Sequence, residues 1–266
     1  RIWFWSRSDR FMRGSEKCRG ICYKVDKMTD RDFSDELIAI SDRYARRNPS
    51  DERYSLLRSE VQSMVHERQR VQLSFLANKN YSDSTWPPLS ALRLTEVGCG
   101  NGSNLLEFLR FGFSPHNLTG IELLPHLVEA ARHHLPESLS VMAGDASVAP
   151  IDSDSQDLVL ASTVFSSLLD DEFQRQFADA MWSWLRPGGA VLWYDFTYNN
   201  PRNPDVRGVP LSRVRELFPQ ARITARRVTL APPLARVLVR VHPGLYGLFN
   251  SVPWLRTHIL CWIEKP

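Results

Sequence analysis

Apolar positions change their period partway along the chain. From about residue 31 to residue 77 they recur at three- and four-residue steps, first Phe33, Leu37, Ile40 and Tyr44, then Tyr54, Leu57, Val61, Met64 and Val65. That is the spacing of one helix face. Asn48-Pro49-Ser50-Asp51 divides the stretch into two helices, with Ser50 or Asp51 placed to cap the second. Residues 80–90, with Trp86-Pro87-Pro88, cannot continue a helix and read as a linker. Beyond them short apolar runs alternate with helical ones. The pattern predicts strands at 92–97, 117–122, 139–143, 157–162 and 189–195, and helices near 103–111, 125–134 and 170–185. Four of these strands are apolar along most of their length, as strands covered on both faces must be. Strand–helix alternation with short connections predicts an α/β fold with a doubly wound, mostly parallel sheet. Two further strands, 221–230 and 258–264, are expected to pair antiparallel across an apolar, proline-rich segment, 231–257.

Composition adds boundaries. The 266 residues are 43% hydrophobic and 24% charged, enough for a sizeable core and most simply one domain with additions. No apolar run reaches the ~18–20 residues that span a bilayer. Arg1-Ile2-Trp3-Phe4-Trp5 is too short to be the hydrophobic part of a signal peptide. Cys18, Cys22, Cys99 and Cys261 are few and scattered, which argues against a disulfide framework and for a reducing, cytoplasmic setting. Cys18 and Cys22 lack the second pair or nearby histidine of a zinc site, so no metal is expected. The net charge of +3 is uneven: residues 1–27 hold eight Lys/Arg and three Asp/Glu, or +5, leaving −2 for the rest. With Met28-Thr29-Asp30 an ordinary start, residues 1–27 read as a vector-derived or upstream-translated extension, or as a basic arm. The expected division is 1–27 leader, 28–90 helical cap and linker, and 91–266 main domain with 231–257 as an insertion.

The chemistry concentrates at Glu96-Val97-Gly98-Cys99-Gly100-Asn101-Gly102-Ser103, where alternate glycines join an apolar strand to a helix. Such a turn lets a ligand lie against bare backbone at the positive end of a helix. Glu96, just before the turn, argues against a ligand that is mainly phosphate. Twenty residues after Gly102, Glu122 ends the next strand, where a carboxylate can accept from both hydroxyls of a ribose. A nucleoside with a cationic or zwitterionic tail suits both acids, and S-adenosylmethionine has that make-up. A nicotinamide fingerprint needs glycine three places after Gly100, where Ser103 stands.

Taken together, these residues resemble the class I S-adenosylmethionine-dependent methyltransferases, well over about 92–217 and more weakly in the C-terminal strand pair. Glu96-Val97-Gly98-Cys99-Gly100-Asn101-Gly102 is similar to the family's acid and G-x-G-x-G loop; Gly144-Asp145-Ala146 and Leu185-Arg186-Pro187-Gly188-Gly189 resemble its G-D-A and L-R-P-G-G turns. The resemblance implies a seven-stranded sheet. It places the methionine tail on the glycine loop with Glu96 toward its ammonium, often through water, and the ribose on Glu122 beside Leu123. The adenine falls to Asp145 and Ala146, and backbone near Ser162 lies beside the methionine part. Arg53 and Tyr54 are placed to close over the cofactor, whose product form is S-adenosylhomocysteine. A member that binds cofactor without catalysis is the main alternative.

Departures from the family pattern bear on the acceptor. Where many small-molecule members carry paired histidines after the fourth strand, this chain has Thr163-Val164-Phe165-Ser166-Ser167. The N-P-P-[YFW] signature of base and glutamine amine methylation is missing there, and no basic stripe with interleaved aromatics crosses the core, which argues against a nucleic-acid acceptor. A small molecule is expected, with O-methylation ahead of N- or C-methylation. The segment after the fifth strand is polar, aromatic and stiffened by prolines. It supplies Asp195 as base candidate, Tyr198 as second choice, and Asn200 and Arg202, with Phe165, as acceptor contacts. From residue 217 to 263 there are six arginines and no acid. That tail reads as a hydrophobic flap over the sheet edge, a lid for an apolar or anionic acceptor, or a peripheral membrane contact. Monomer and homodimer stay open.

Overall fold

The computed structural model describes residues 29–46, 55–201 and 203–266, of which 29–34 by backbone alone. The leader 1–27, Cys18 and Cys22, the 48–51 break, Arg53, Tyr54 and Arg202 lie outside the described residues.

Strands β1 (Leu94–Val97), β2 (Leu118–Glu122), β3 (Ser140–Ala143), β4 (Gln156–Ser162), β5 (Leu185–Phe196), β6 (Arg222–Leu230) and β7 (Arg256–Glu264) form one sheet in the order β3-β2-β1-β4-β5-β7-β6. The first five are parallel, and β7 runs antiparallel to both β5 and β6. The expected doubly wound, seven-stranded sheet with an antiparallel C-terminal pair is therefore present. Helices α1 (Thr29–Ala45), α2 (Ser59–Ser82), α3 (Ser103–Phe111), α4 (Pro125–His134), α5 (Asp171–Trp184), α6 (Leu211–Leu217), α7 (Pro232–Val241) and α8 (Gly244–Asn250) surround it.

The pleat of the strands explains why they read as unbroken apolar runs. Leu158, Leu160, Leu192 and Leu260 face Phe75 and Leu76 of α2 and Leu105 and Phe108 of α3. Their neighbours Val159, Ala161, Val191 and Trp193 face Phe173, Phe177 and Met181 of α5. Alternate residues thus fill two separate cores. Helix starts follow their local chemistry. Asp170 caps α5 by accepting from the Phe173 amide at 2.6 Å, and Pro125 opens α4, where its missing N–H costs nothing.

The strand order reverses between β1 and β4. Chain leaving β1 turns toward β2 on one side, while β4 pairs on the other, so a crevice opens at their C-terminal ends. The 98–102 loop and the 163–168 loop line it.

The tail holds elements that the sequence pattern did not name. Residues 231–257, expected as an apolar, proline-rich insertion, carry α7 and α8. Leu234, Leu238 and Val239 of α7 pack on Ala235, Tyr246 and Met64. Pro232 and Pro233 occupy the first turn of α7, where proline is tolerated, so proline richness there marked a helix start and not a loop.

Candidate active site

A cavity of about 310 Å³ fills the crevice between β1 and β4. Its floor is the glycine loop, where Gly98, Gly100 and Gly102 have φ of +60°, +56° and +84°. An L side chain is strained in that region. At Gly102 a Cβ would also stand 2.6 Å from Leu135 Cδ1, and at Gly98 2.9 Å from Val164 Cγ2. Gly102→Ala is accordingly expected to lower unfolding free energy by about 1–3 kcal/mol, from left-handed backbone and overpacking together. Urea denaturation measures it, and an unchanged midpoint would contradict this account of the loop.

The two acids behave differently. Glu122 is the hinge of the site: its Oε2 accepts from the Gly100 amide at 2.8 Å and its Oε1 from the Leu124 amide at 2.9 Å. One carboxylate thus ties the glycine loop to the end of β2, and its remaining lone pairs are available beside the cavity that it lines. Glu96 lies beneath the loop, fully buried. Its Oε1 accepts from Asn104 Nδ2 at 2.6 Å, while its Oε2 has no hydrogen-bond partner among the described residues. Burial raises its carboxyl to about 8, against the smaller opposing influences of Asn104 and the Arg68 charge. A buried acceptor left unpaired is costly. A cationic group arriving nearby would relieve it.

Of the residues expected to hold the cofactor, Gly98, Cys99, Gly100, Asn101, Glu122, Leu123, Gly144, Asp145, Ala146 and Ser162 all line this one cavity. Glu96 and Gly102 stand just behind its wall. Asp145 accepts from the Ser147 amide at 2.8 Å and the Ser147 hydroxyl at 2.7 Å, which fixes its carboxylate at the turn after β3. Cys99 is buried against Gly120, whose Cβ would stand 2.7 Å from its Sγ, and burial pushes its thiol far up. It is a packing residue with a neutral thiol.

The acceptor-side expectations fare differently. Phe165 is fully buried, with ring centroids 4.2 Å from Trp193 and 5.4 Å from Phe177, and does not reach the cavity. Tyr198 lies in a separate cleft with Thr197, Pro210 and Leu211, and its hydroxyl accepts from Arg227 Nη1 at 3.1 Å. Asn200 is exposed in the loop after β5 and also lies off the cavity.

Asp195 is 1% exposed, and its two oxygens accept from the amides of Ser166 (3.0 Å) and Phe196 (2.9 Å). Facing the α5 side with Trp193, it clamps the 163–168 loop to β5. It offers no oxygen to the cavity, so the geometry argues against it as base. Burial lifts its carboxyl from 3.8 to about 7, the hydrogen bonds opposing. A raised carboxyl gives stability that is full below the unfolded value and lost as pH climbs through the folded one. Asp195 should therefore make the protein progressively less stable from about pH 4 to pH 7. In thermal melts across that window, Asp195→Asn should flatten the decline, and an unaltered slope would contradict this placement.

Sequence patterns missed two contributors. Arg68 of α2 reaches the cavity wall, paired with Glu107 at 2.9 Å, and no motif marks it because its place depends on how α2 crosses the β6–β7 edge. α1 roofs the cavity with Leu37, Ile40 and Tyr44. It is fastened by Arg43, whose Nη2 donates to the Ser167 carbonyl at 2.9 Å and to Glu36 at 2.6 Å, and by Glu36, which accepts from the Leu169 amide at 2.9 Å. The helical period placed α1 but could not show what it covers.

Residues 95–189, which include the glycine loop, Glu122, Asp145 and the turn into β5, match the family described as methyltransferase domain. Residues 95–189 form a methyltransferase domain. Solved structures share its fold at low identity. A methyltransferase of Thermotoga maritima is 14% identical with TM-score 0.55, covering 86% of this chain and 100% of its own. One from Archaeoglobus fulgidus is 12% identical with TM-score 0.50, covering 74% and 94%. The Haemonchus contortus phosphoethanolamine N-methyltransferase 1 is 15% identical with TM-score 0.55, covering 87% of this chain but 49% of that protein. No protein in the curated comparison matches by sequence. No described helix of this methyltransferase is long and apolar enough to cross a membrane.

Proposed function

We propose that the methyltransferase acts on a small molecule seated under α1, and that the acceptor atom arrives already nucleophilic, as an amine nitrogen or a carboxylate oxygen. The observation that carries this reading is the lining of the cavity. Beyond the cofactor loops and Arg68 its described side chains are apolar or hydroxyl-bearing: Leu37, Ile40 and Tyr44 on one side, Thr163, Ser167 and Phe173 on the other. Its only described carboxylates are Glu122 and Asp145, both held by backbone amides, and it has no described histidine. A hydroxyl acceptor needs a base to take its proton, whereas a carboxylate, or an amine that sheds its proton to water before it is bound, needs alignment alone. O-methylation in this reading means ester formation on a carboxylate.

When bound, S-adenosylmethionine supplies an electrophilic methyl carbon. Glu122 holds the ribose hydroxyls while bracing the loop, Asp145 and Ala146 meet the adenine, and Glu96 balances the ammonium of the tail. Arg68 is placed for the tail carboxylate. Tyr44 and Ser167, whose hydroxyl oxygens lie 3.5 Å apart, bridge roof and floor where the acceptor would enter. Asp195 positions the 163–168 loop.

Incubation with cofactor and separate pools of amines, carboxylic acids, and alcohols or phenols tests this reading. Mass spectrometry should find a product one methylene heavier from the first or second pool, together with S-adenosylhomocysteine. Turnover confined to alcohols would overturn the acceptor class. Silence in every pool, with tight cofactor binding retained, would favour a noncatalytic binding protein.

A further inference from the structure

The methyl-transfer site leaves the acid-free tail unused. Its six arginines are Arg222, Arg226 and Arg227 on β6, Arg236 and Arg240 on α7, and Arg256 at the start of β7. Among the described residues none lies within ion-pair distance of a carboxylate. Arg227 donates to the Tyr198 hydroxyl, and Arg256 to the carbonyls of Asn250 and Arg227, all neutral acceptors. Glu60, which feels the Arg236 charge, is itself paired with Arg58 at 2.8 Å. Glu67, in the groove beside Arg226 and Arg227, is buried under the Thr229 amide, the Tyr246 hydroxyl and the Asn250 amide.

The outer face of α7 is inverted relative to an ordinary surface helix. Its inner face packs on Met64 and Tyr246. The exposed stripe at i, i+4 and i+8 is Pro233, Val237 and Val241, with Val237 59% and Val241 76% exposed, and Arg236 and Arg240 run beside it. A surface helix normally turns polar residues outward. The next segments add Leu248 and Trp254, the latter 84% exposed. Apolar side chains edged by arginines, with an exposed tryptophan, are what a helix lying in a bilayer interface presents.

We propose that the 232–255 segment, α7, α8 and the turn after them, seats the protein on an anionic lipid surface, with Val237, Val241 and Trp254 entering the headgroup boundary and Arg236 and Arg240 meeting lipid phosphates. Charge complementarity selects this occupant. A second copy meeting the stripe through a two-fold interface would set arginine against arginine with no acid to answer.

Co-sedimentation of the full chain with phosphatidylcholine vesicles, with and without phosphatidylglycerol, tests this. The protein should sediment with the anionic vesicles, leave pure phosphatidylcholine, and release as salt rises. An arginine near such a surface contributes about five-fold in affinity, so R236Q/R240Q should bind about twenty-five-fold more weakly. V241S/W254S should also bind more weakly, with salt release unchanged in slope. None of these positions lines the cavity, so both variants should bind S-adenosylhomocysteine like the parent, which separates lost docking from misfolding. The basic leader is present in every sample. Undiminished vesicle binding by R236Q/R240Q would therefore assign the contact elsewhere and overturn the proposal. So would failure of the parent to bind anionic vesicles at low salt, or a dimer in sedimentation equilibrium that V241S abolishes.

Discussion

Glu122→Ala is expected to weaken binding of S-adenosylhomocysteine by at least about a hundred-fold. The carboxylate has two tasks that fail together. It accepts from Gly100 and Leu124, fixing a loop whose glycines hold left-handed backbone, and it faces the cavity with free lone pairs. Hydrogen bonds to a charged group contribute about 1.5–3 kcal/mol each, so losing two to the ribose accounts for two or more orders of magnitude before any loosening of the loop. Glu122→Gln keeps one acceptor oxygen and should fall between variant and parent. Calorimetric titration reads the difference. An affinity for Glu122→Ala within three-fold or so of the parent would remove Glu122 from the site.

The second large effect is a pH dependence set by Glu96. In the free protein its carboxyl stands at about 8, so it is protonated at neutral pH. A cation bound nearby favours the carboxylate, and binding then expels a proton. Affinity for S-adenosylhomocysteine should therefore rise by up to about ten-fold per pH unit from pH 6 toward 8. Above that Glu96 is ionised with or without ligand, and affinity should level off. Glu96→Gln should abolish the rising limb. It should also make the unliganded protein more stable at pH 8, because it removes a buried charge with an unpaired oxygen. Titrations in buffers of different ionisation enthalpy count the proton released at pH 7; a value near zero would show that Glu96 does not meet the tail.

Residues 94–162 were legible because their signals are local. Val159 and Leu160 read as one apolar run because each faces a different core, and the glycines of 98–102 announce a turn that only they adopt cheaply. Glu122 ends β2 and Asp145 follows the end of β3 on the same side of the sheet, so topology alone brings them to one cavity. Asp195 escaped because its fate depends on the pleat. Tyr194 turns to one core, and Asp195 turns to the other, beneath the 163–168 loop. Phe165 was misplaced for the same reason, since it fills the space between Trp193 and Phe177. Arg68 depends on helix packing across more than a hundred residues of chain, which no periodicity encodes. In the tail, Pro232-Pro233 and Gly244 masked α7 and α8, whose stability comes from packing around Tyr246 and not from helix propensity.

The most direct test of the account is a crystal structure with S-adenosylhomocysteine bound. The account predicts ribose hydroxyls on Glu122, adenine between Leu123 and Ala146, and the amino group on the Glu96 side of the glycine loop. The sulfur should open onto the space walled by Tyr44, Ser167 and Phe173. A ligand whose ribose lies away from Glu122, or whose sulfur faces the cleft of Tyr198 instead, would contradict it.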